Sequence, residues 1–460
     1  MKKILILAVF TVSVFVVSCG GGKSSLTDDD RDETDSVSDA SGSTDDSGDH
    51  SSDDGGPDGQ PDDSENSISD QDSEIPDSTS DEDSEQVYVN PCDSDPCDPS
   101  IVENATGECI ESGDSGYFCK CEAGYKWTGS LCQFNSSGGS QSIGNICTGQ
   151  TSCYDASYDI YVDMPVSTAS IIPCPSTSSD DLYGQDAWYA SLGYCVPQSF
   201  SPSSDVVVDN NTGLTWEKSL SAGFYIWEDR AEHCNELNTE NYAGKSDWRV
   251  PNPLELLTVV DNGSYSPAIN SDWTEMPADN KTYLWTSKES KNDTSYAYAF
   301  RPYDGMIRGG SYDGFLKTNS YKVLCVSGKE LLPASSADFT ESPDGETVTD
   351  NRTGLMWLKT YDSSGGTWKE AIKFCEDLDY AGYSDWRLPN KNELVSLLDY
   401  DKSDAPYSNF PGMHPFLFWS SSTAVADDDY LNAWSVDFGR GDVTGGIKII
   451  LHCNYARCVR

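Results

Sequence analysis

The stretch YAGYSDWRLPNKNELVSLL, from Tyr380 to Leu398, has a near copy upstream, YAGKSDWRVPNPLELL, from Tyr242 to Leu257. One unit is used twice, and the likeness spreads outward from this core. Asp209-Asn-Asn-Thr-Gly-Leu-Thr-Trp216 matches Asp350-Asn-Arg-Thr-Gly-Leu-Met-Trp357. Trp227 and Cys234 match Trp368 and Cys375 at the same spacing, Leu284-Trp-Thr-Ser287 matches Phe418-Trp-Ser-Ser421, and Cys325-Val326 matches Cys458-Val459. The copies recur about 140 residues apart, far longer than a solenoid repeat and the size of a whole domain. Two tandem domains follow, about 204–329 and 345–460.

Each copy opens with turn chemistry, Asp-Asn followed by Gly, ahead of a Leu-x-Trp strand. In the second copy Thr367 and Glu370 form a capping box, and Trp368, Ala371, Ile372, Cys375 and Leu378 fall on one helical face. A second helix follows the Asp-Trp-Arg-Leu-Pro run, capped by Asn390 with Glu393. The first copy offers Asn252, Pro253 and Glu255, with proline at the favoured first helical position. Beyond it the chain is short-period, aromatic-rich and punctuated by Gly and Asp, which predicts β-hairpins. The fold class read here is α+β.

These motifs resemble the Lcl C-terminal domain family, named for the C-terminal domain of a bacterial collagen-like adhesin. The matching elements are Asp-x-x-Thr-Gly-Leu-x-Trp, the Trp before the helix Cys, Asp-Trp-Arg-[Leu/Val]-Pro-Asn, Trp-[Thr/Ser]-Ser and the closing Cys-Val. More distantly, a helix cysteine with a last-strand cysteine resembles the C-type lectin-like arrangement. On that arrangement Cys234 pairs with Cys325 and Cys375 with Cys458. Each bond would close a loop of about 90 residues, worth about 4 to 5 kcal/mol in the chain-entropy model.

The chain begins with Lys2 and Lys3 and an apolar run from Ile4 to Val17, which reads as a signal peptide over 1–18. Val16-Val17-Ser18-Cys19 looks like a bacterial lipobox, so Cys19 is the expected lipidated N-terminus and membrane anchor. Gly20 in the next position favours outer-membrane sorting by analogy with bacterial lipoproteins, and the expected location is an outer-membrane lipoprotein exposed at the surface. Residues 19–87 are dominated by Ser, Asp, Glu and Gly, with Lys23 and Arg31 the only Lys or Arg residues between 23 and 85. Such a segment buries too little apolar surface to offset its ordering entropy, and its charges repel. The expectation is a disordered acidic tether that holds much of the net charge of −48.

Cys92, Cys97, Cys109, Cys119, Cys121 and Cys132 crowd into residues 88–133, and Cys119-x-Cys121-x-x-Gly124-Tyr125 resembles an EGF-like module. The resemblance implies pairs Cys92–Cys109, Cys97–Cys119 and Cys121–Cys132. The acidic lead of calcium-binding EGF modules is missing before Cys92, so no metal is expected there. Residues 145–200 hold Cys147, Cys153, Cys174 and Cys195, a small module with three open connectivities. Of 16 cysteines, Cys453 is left over, able to be buried, to exchange with Cys458 or to join two molecules. Thiols this abundant beside a secretion signal indicate an oxidising compartment.

No nucleophile elbow, metalloprotease motif, phosphate loop or dinucleotide fingerprint occurs. Only four histidines are present, so no enzyme and no cofactor is expected. Trp248-Arg249 and Trp386-Arg387 invite a sugar-site reading. Their recurrence beside a helix start favours a structural one, with Trp in the core and Arg paired to Asp247 or Asp385. Binding residues are instead expected in the loops that differ between copies, Asn262 to Asn280 with Trp273, and Tyr400 to Phe418. Arg440-Gly441-Asp442 spells an integrin tripeptide in a hairpin turn, which makes Arg440 and Asp442 candidates. The adhesin domain's likeness implies a sulfated polysaccharide, but an acidic chain whose small basic group is Lys448, Arg457 and Arg460 suits a neutral glycan or a protein better. The expected function is non-catalytic adhesion to an extracellular glycan or protein, with self-association possible in principle and no nucleic acid. The alternatives are a structural envelope protein and, third, an extracellular enzyme.

Overall fold

In the computed structural model the Asp-x-x-Thr-Gly-Leu-x-Trp motif folds into the same hairpin twice. Asp209 Oδ1 accepts from the backbone N–H of Asn211 at 2.9 Å, and Asp350 Oδ1 from that of Arg352 at 2.9 Å. Gly213 and Gly354 take φ of 76° and 72°, a conformation that glycine enters without strain. Their N–H groups close each turn onto the Asp carbonyl at 2.8 Å. The Leu-x-Trp that follows then turns its Trp inward: Trp216 and Trp357 are both fully buried.

The described residues are 142–460 apart from 156–157, 160–165, 168, 274, 310–314, 404, 406, 427–428 and 450–453, together with the backbone of four strands within 105–134. The leader, Cys19, the acidic segment, Cys92, Cys97 and Cys453 lie outside them. So do the side chains of Cys109, Cys119, Cys121 and Cys132.

The four upstream strands are β1 (Ala105–Ser112), β2 (Gly116–Cys121), β3 (Tyr125–Trp127) and β4 (Cys132–Phe134), paired as β1–β2 and β3–β4. The four-cysteine segment has β5 (Cys153–Tyr154), β6 (Tyr158–Asp159), β7 (Val166–Ser167), β8 (Ile171–Ile172) and α1 (Asp186–Ser191). Its bonds are Cys147–Cys195 and Cys153–Cys174. The first repeat has β9 (Phe200–Pro202), β10 (Val206–Asp209), β11 (Thr215–Glu217), α2 (Glu232–Thr239), α3 (Pro253–Thr258), β12 (Leu284–Glu289), β13 (Ala297–Arg301), β14 (Met306–Arg308) and β15 (Val326–Ser327). The second has β16 (Phe339–Glu341), β17 (Thr347–Asp350), β18 (Met356–Leu358), α4 (Trp368–Glu376), α5 (Lys391–Val395), β19 (Leu417–Ala426), β20 (Asp429–Asp437), β21 (Asp442–Ile447) and β22 (Asn454–Tyr455).

The closing Cys-Val ties each repeat together. Val326 bridges Trp216 on one side and Arg249 on the other, and Val459 bridges Trp357 and Arg387 in the same way. The cysteine beside each valine bonds back to the first helix of its repeat, Cys234 to Cys325 and Cys375 to Cys458. Motifs distant in sequence thus converge on one last strand.

The segment joining the repeats, Glu330 to Asp344, carries Pro333 and Pro343 and by itself reads as a linker between two separately packed bodies. The tertiary structure differs. Strands β12–β13–β14 and β21–β20–β19–β22 form one seven-stranded sheet, with β14 pairing β21 through Ile307 and Val443. Each repeat alone would leave its third strand as an unpaired edge, and the antiparallel pairing covers both edges at once. One apolar cluster then holds Leu256, Leu257 and Val326 of the first repeat with Leu394, Leu397 and Val459 of the second. The join packs into it: Ala334 is buried and its carbonyl accepts from Asn409 Nδ2 at 2.9 Å.

Candidate functional site

The repeated Asp-Trp-Arg motif is occupied by the fold. Trp248 and Trp386 are buried, and each indole N–H donates at 3.1 Å to a backbone carbonyl, Tyr242 or Tyr380. The arginines do not pair with the preceding aspartates. Arg387 forks onto Glu393 at 2.6 and 2.7 Å, and Arg249 onto Glu255 at 2.6 and 2.8 Å. The helix start brings this about. Asn390 and Asn252 cap their helices, and the N3 glutamate turns back to the cap, where the arginine meets it. Burial works against a charged Arg387, but Glu393 outweighs it and holds the guanidinium above its ordinary value. The displaced aspartates serve elsewhere: Asp247 accepts from Ser327 Oγ at 2.5 Å, and Asp385 pairs with Arg460 at 2.6 Å.

Three further expectations are corrected. Trp273 is 2% exposed and sits edge-on to Phe200 and Trp216, so its loop turns it into the core. Arg440-Gly441-Asp442 is a seam between repeats. The Arg440 carbonyl accepts from Tyr298 Oη, and Asp442, 8% exposed, accepts from Gly309 N–H at 2.8 Å. The Arg440 side chain extends outward, but the buried Asp442 carboxylate cannot join it on a receptor. The basic group near the C-terminus also dissolves. Lys448 and Arg457 are buried, Arg457 donating to the Leu358, Lys359 and Gly412 carbonyls, while Arg460 is held by Asp385.

What remains open is a hollow of about 90 Å³ on the outer face of β12–β13–β14, lined by Tyr283, Ala299, Arg301, Met306, Arg308 and Phe315. Strand alternation builds it. Leu284, Tyr298, Phe300 and Ile307 point into the shared core, so Tyr283, Arg301 and Arg308 point away from it. Arg301 is paired with Asp304, lies 5.8 Å from the Tyr283 ring centre and donates to Tyr283 Oη at 3.3 Å. Arg308 Nη2 reaches Met306 Sδ at 3.4 Å. Trp227, in the same apolar group as Phe315, is flanked by Arg230 at 3.4 Å and Lys317 at 4.1 Å. Two aromatic walls, Tyr283 and Phe315, and two guanidinium groups, Arg301 and Arg308, therefore share one small concavity.

The alternation of apolar and polar residues gave no warning of this hollow, yet a signal was present. By strand register Arg301 stands where the second repeat has Asp437, and Arg308 where it has Thr444. A larger cleft of about 370 Å³ lies where Ile143, Leu254, Leu331, Leu332, Arg352 and Ser396 meet. Its guanidinium is tied into the fold, to Asp350 at 3.3 Å and to the Ser396 carbonyl at 3.0 Å. Among the described residues one group has the makings of a metal site, Glu217, His233 and Cys325. Cys325 is committed to its disulfide, and His233 is clasped by Glu217 at 2.8 Å, so the group holds α2 against β11.

Among the described residues no helix is long and apolar enough to cross a membrane. No curated protein matches the chain. The model of the Lcl C-terminal domain matches residues 205–327 and again 346–460, more than half of the sequence. That is an adhesin-like domain, compatible with non-catalytic binding to extracellular partners. The chain belongs to the Lcl C-terminal domain family and carries that domain twice in tandem.

Proposed function

We propose that the protein is a surface lipoprotein that binds an extracellular glycan without catalysis, through the hollow of the first repeat. The observation that carries this reading is the pairing of Tyr283 and Phe315 with Arg301 and Arg308 in one concavity. Aromatic rings stack on the apolar faces of sugar rings, and guanidinium groups donate to hydroxyls from fixed forks. The Asp304 carboxylate beside Arg301 adds an acceptor and offsets local positive charge, which suits a neutral sugar better than a polyanion. In this reading Cys19 carries the lipid, residues 19–87 are the tether, and the EGF-like pairs staple residues 88–133. Repeat boundaries near 204–329 and 345–460 belong to the same proposal.

The test is a glycan and protein array probed with the purified chain and with Tyr283→Ala and Arg308→Ala. Saturable glycan binding that each variant lowers at least tenfold supports the hollow. Binding of proteins alone, or glycan binding indifferent to both variants, overturns it. For the address, Cys19→Ala should release the protein from carbonate-washed membranes, and retention there would remove the lipid anchor.

A further inference from the structure

A buried polar node joins the four-cysteine module and both repeats. Lys391, the first residue of α5, is 0% exposed; Asn262, beyond α3, is 2% exposed; Asp186, the first residue of α1, is 1% exposed. Lys391 Nζ donates to Asn262 Oδ1 at 2.8 Å and lies 5.1 Å from the Trp434 ring centre. The Asn262 Nδ2 atom is buried with no hydrogen-bond partner. Asp186 Oδ2 accepts from Thr148 Oγ1 at 2.5 Å and Ser422 Oγ at 2.6 Å, and Ser422 Oγ accepts the Lys391 backbone N–H at 3.0 Å. Ser422 thereby ties the start of α5 to Asp186.

A lysine this deep ordinarily meets a carboxylate. Here its direct partner is a carboxamide, held by its oxygen while its nitrogen is held by nothing. The amine and the carboxamide that an acyl transfer from nitrogen to nitrogen would join are therefore held side by side where water is excluded. Burial also favours the neutral amine, the nucleophilic form: it lowers the Lys391 pKa to about 7 against the pull of Asp186 and Asp261.

We propose that Lys391 and Asn262 form an intramolecular isopeptide bond that ties the second repeat covalently to the first. The neutral Nζ attacks Cγ of Asn262. The Nζ–Cγ bond forms, the Cγ–Nδ2 bond breaks, and a proton passes from Nζ to Nδ2, which leaves as ammonia. Nothing is oxidised or reduced, and no co-reactant is consumed. The competing attack on the same Cγ, by the backbone nitrogen of Gly263, would give a succinimide. That N–H is engaged by Asp261 Oδ1 at 2.8 Å.

The experiment is peptide mapping of the full-length chain by mass spectrometry after reduction and alkylation. The expected product is a branched peptide joining the Lys391 and Asn262 fragments, lighter than their sum by one ammonia. It should vanish in Lys391→Arg and in Asn262→Ala. Two linear peptides at full mass in the wild type would overturn the proposal. So would an ammonia loss confined to a linear Asn262 peptide, or one that persists in Lys391→Arg, since both mark a succinimide. Because the wild-type map decides by itself, a variant that fails to fold leaves the test intact.

Discussion

The two repeats make the same hairpin at the middle of the shared sheet and charge it oppositely. In the first, Arg301 opens the turn and Asp304 pairs with it; in the second, Asp437 opens it and Arg440 pairs back at 3.8 Å. Both turns use a glycine of φ near 75°, Gly305 and Gly441. A side chain at Gly441 would lie 2.6 Å from Tyr298 Oη, so this turn must stay bare to seat the other repeat. The backbone solution is shared, then, while the side chains have parted. The second repeat's turn became a seam, and the first repeat's strands kept an arginine-and-aromatic face open. Function is to be sought where the copies differ, since every motif they share is consumed in folding them.

The sharpest way to break this comparison is to unlock one repeat alone. Replacing Cys375 and Cys458 together by alanine removes a cross-link spanning 83 residues and should cost about 4 to 5 kcal/mol. Because sheet and core are shared, calorimetry should show one transition moved as a whole. Two separated transitions would restore the picture of independent domains.

Next in size is the arginine fork. Arg387 and Glu393 are each 2% exposed in their side chains, whereas Arg249 keeps 28% exposure. Arg387→Met strands a buried carboxylate and should cost roughly 3 to 5 kcal/mol. Arg249→Met should cost clearly less in chemical denaturation, because the Arg249 guanidinium is partly hydrated and, with the arginine gone, Leu331 N–H still donates to Glu255. Equal losses would mean that burial does not distinguish the two forks.

A third difference is confined to the second repeat. Glu376 on α4 receives the Tyr189 hydroxyl at 3.0 Å, and burial pushes its carboxyl up to about 8. The equivalent position on α2, one residue after the helix cysteine, is Asn235. A carboxyl whose folded pKa lies above its ordinary value stabilises fully below the usual carboxylate range, and that stability is lost as pH rises through the folded value. Melting temperature should therefore fall between about pH 5 and 8, and Glu376→Gln should flatten that part of the profile. An unchanged slope would assign it to other groups.

The smallest effect belongs to the exposed pair of the seam. Arg440→Ala removes a contact whose arginine side chain is 52% exposed and should change stability by less than about 1 kcal/mol. It should leave cell adhesion unaltered, because the Asp442 carboxylate that a receptor would need beside it is buried in the seam. A large loss of adhesion would return the tripeptide to the list of binding elements.

Read alone, the chain disclosed what neighbouring residues decide. Asn252, Asn390 and Thr367 cap helices because a side chain three residues from a glutamate meets it whatever the rest of the molecule does. Gly213 and Gly354 turn their hairpins for the same local reason. The two copies, matched position by position, also set the helix and last-strand cysteines in register, and the C-type lectin-like resemblance implied the pairing that the structure shows. Tertiary structure alone decided the rest. Arg387 reaches Glu393 and not Asp385 because the capped helix swings the glutamate back beneath it. Trp273 lies inside because Phe200 and Trp216, distant in sequence, leave an apolar seat for it. Strands β14 and β21 join because each repeat leaves one edge unpaired, and such pairing across more than 130 residues has no local pattern to announce it. The same junction brings Lys391 to Asn262, 129 residues apart, and excludes water from both.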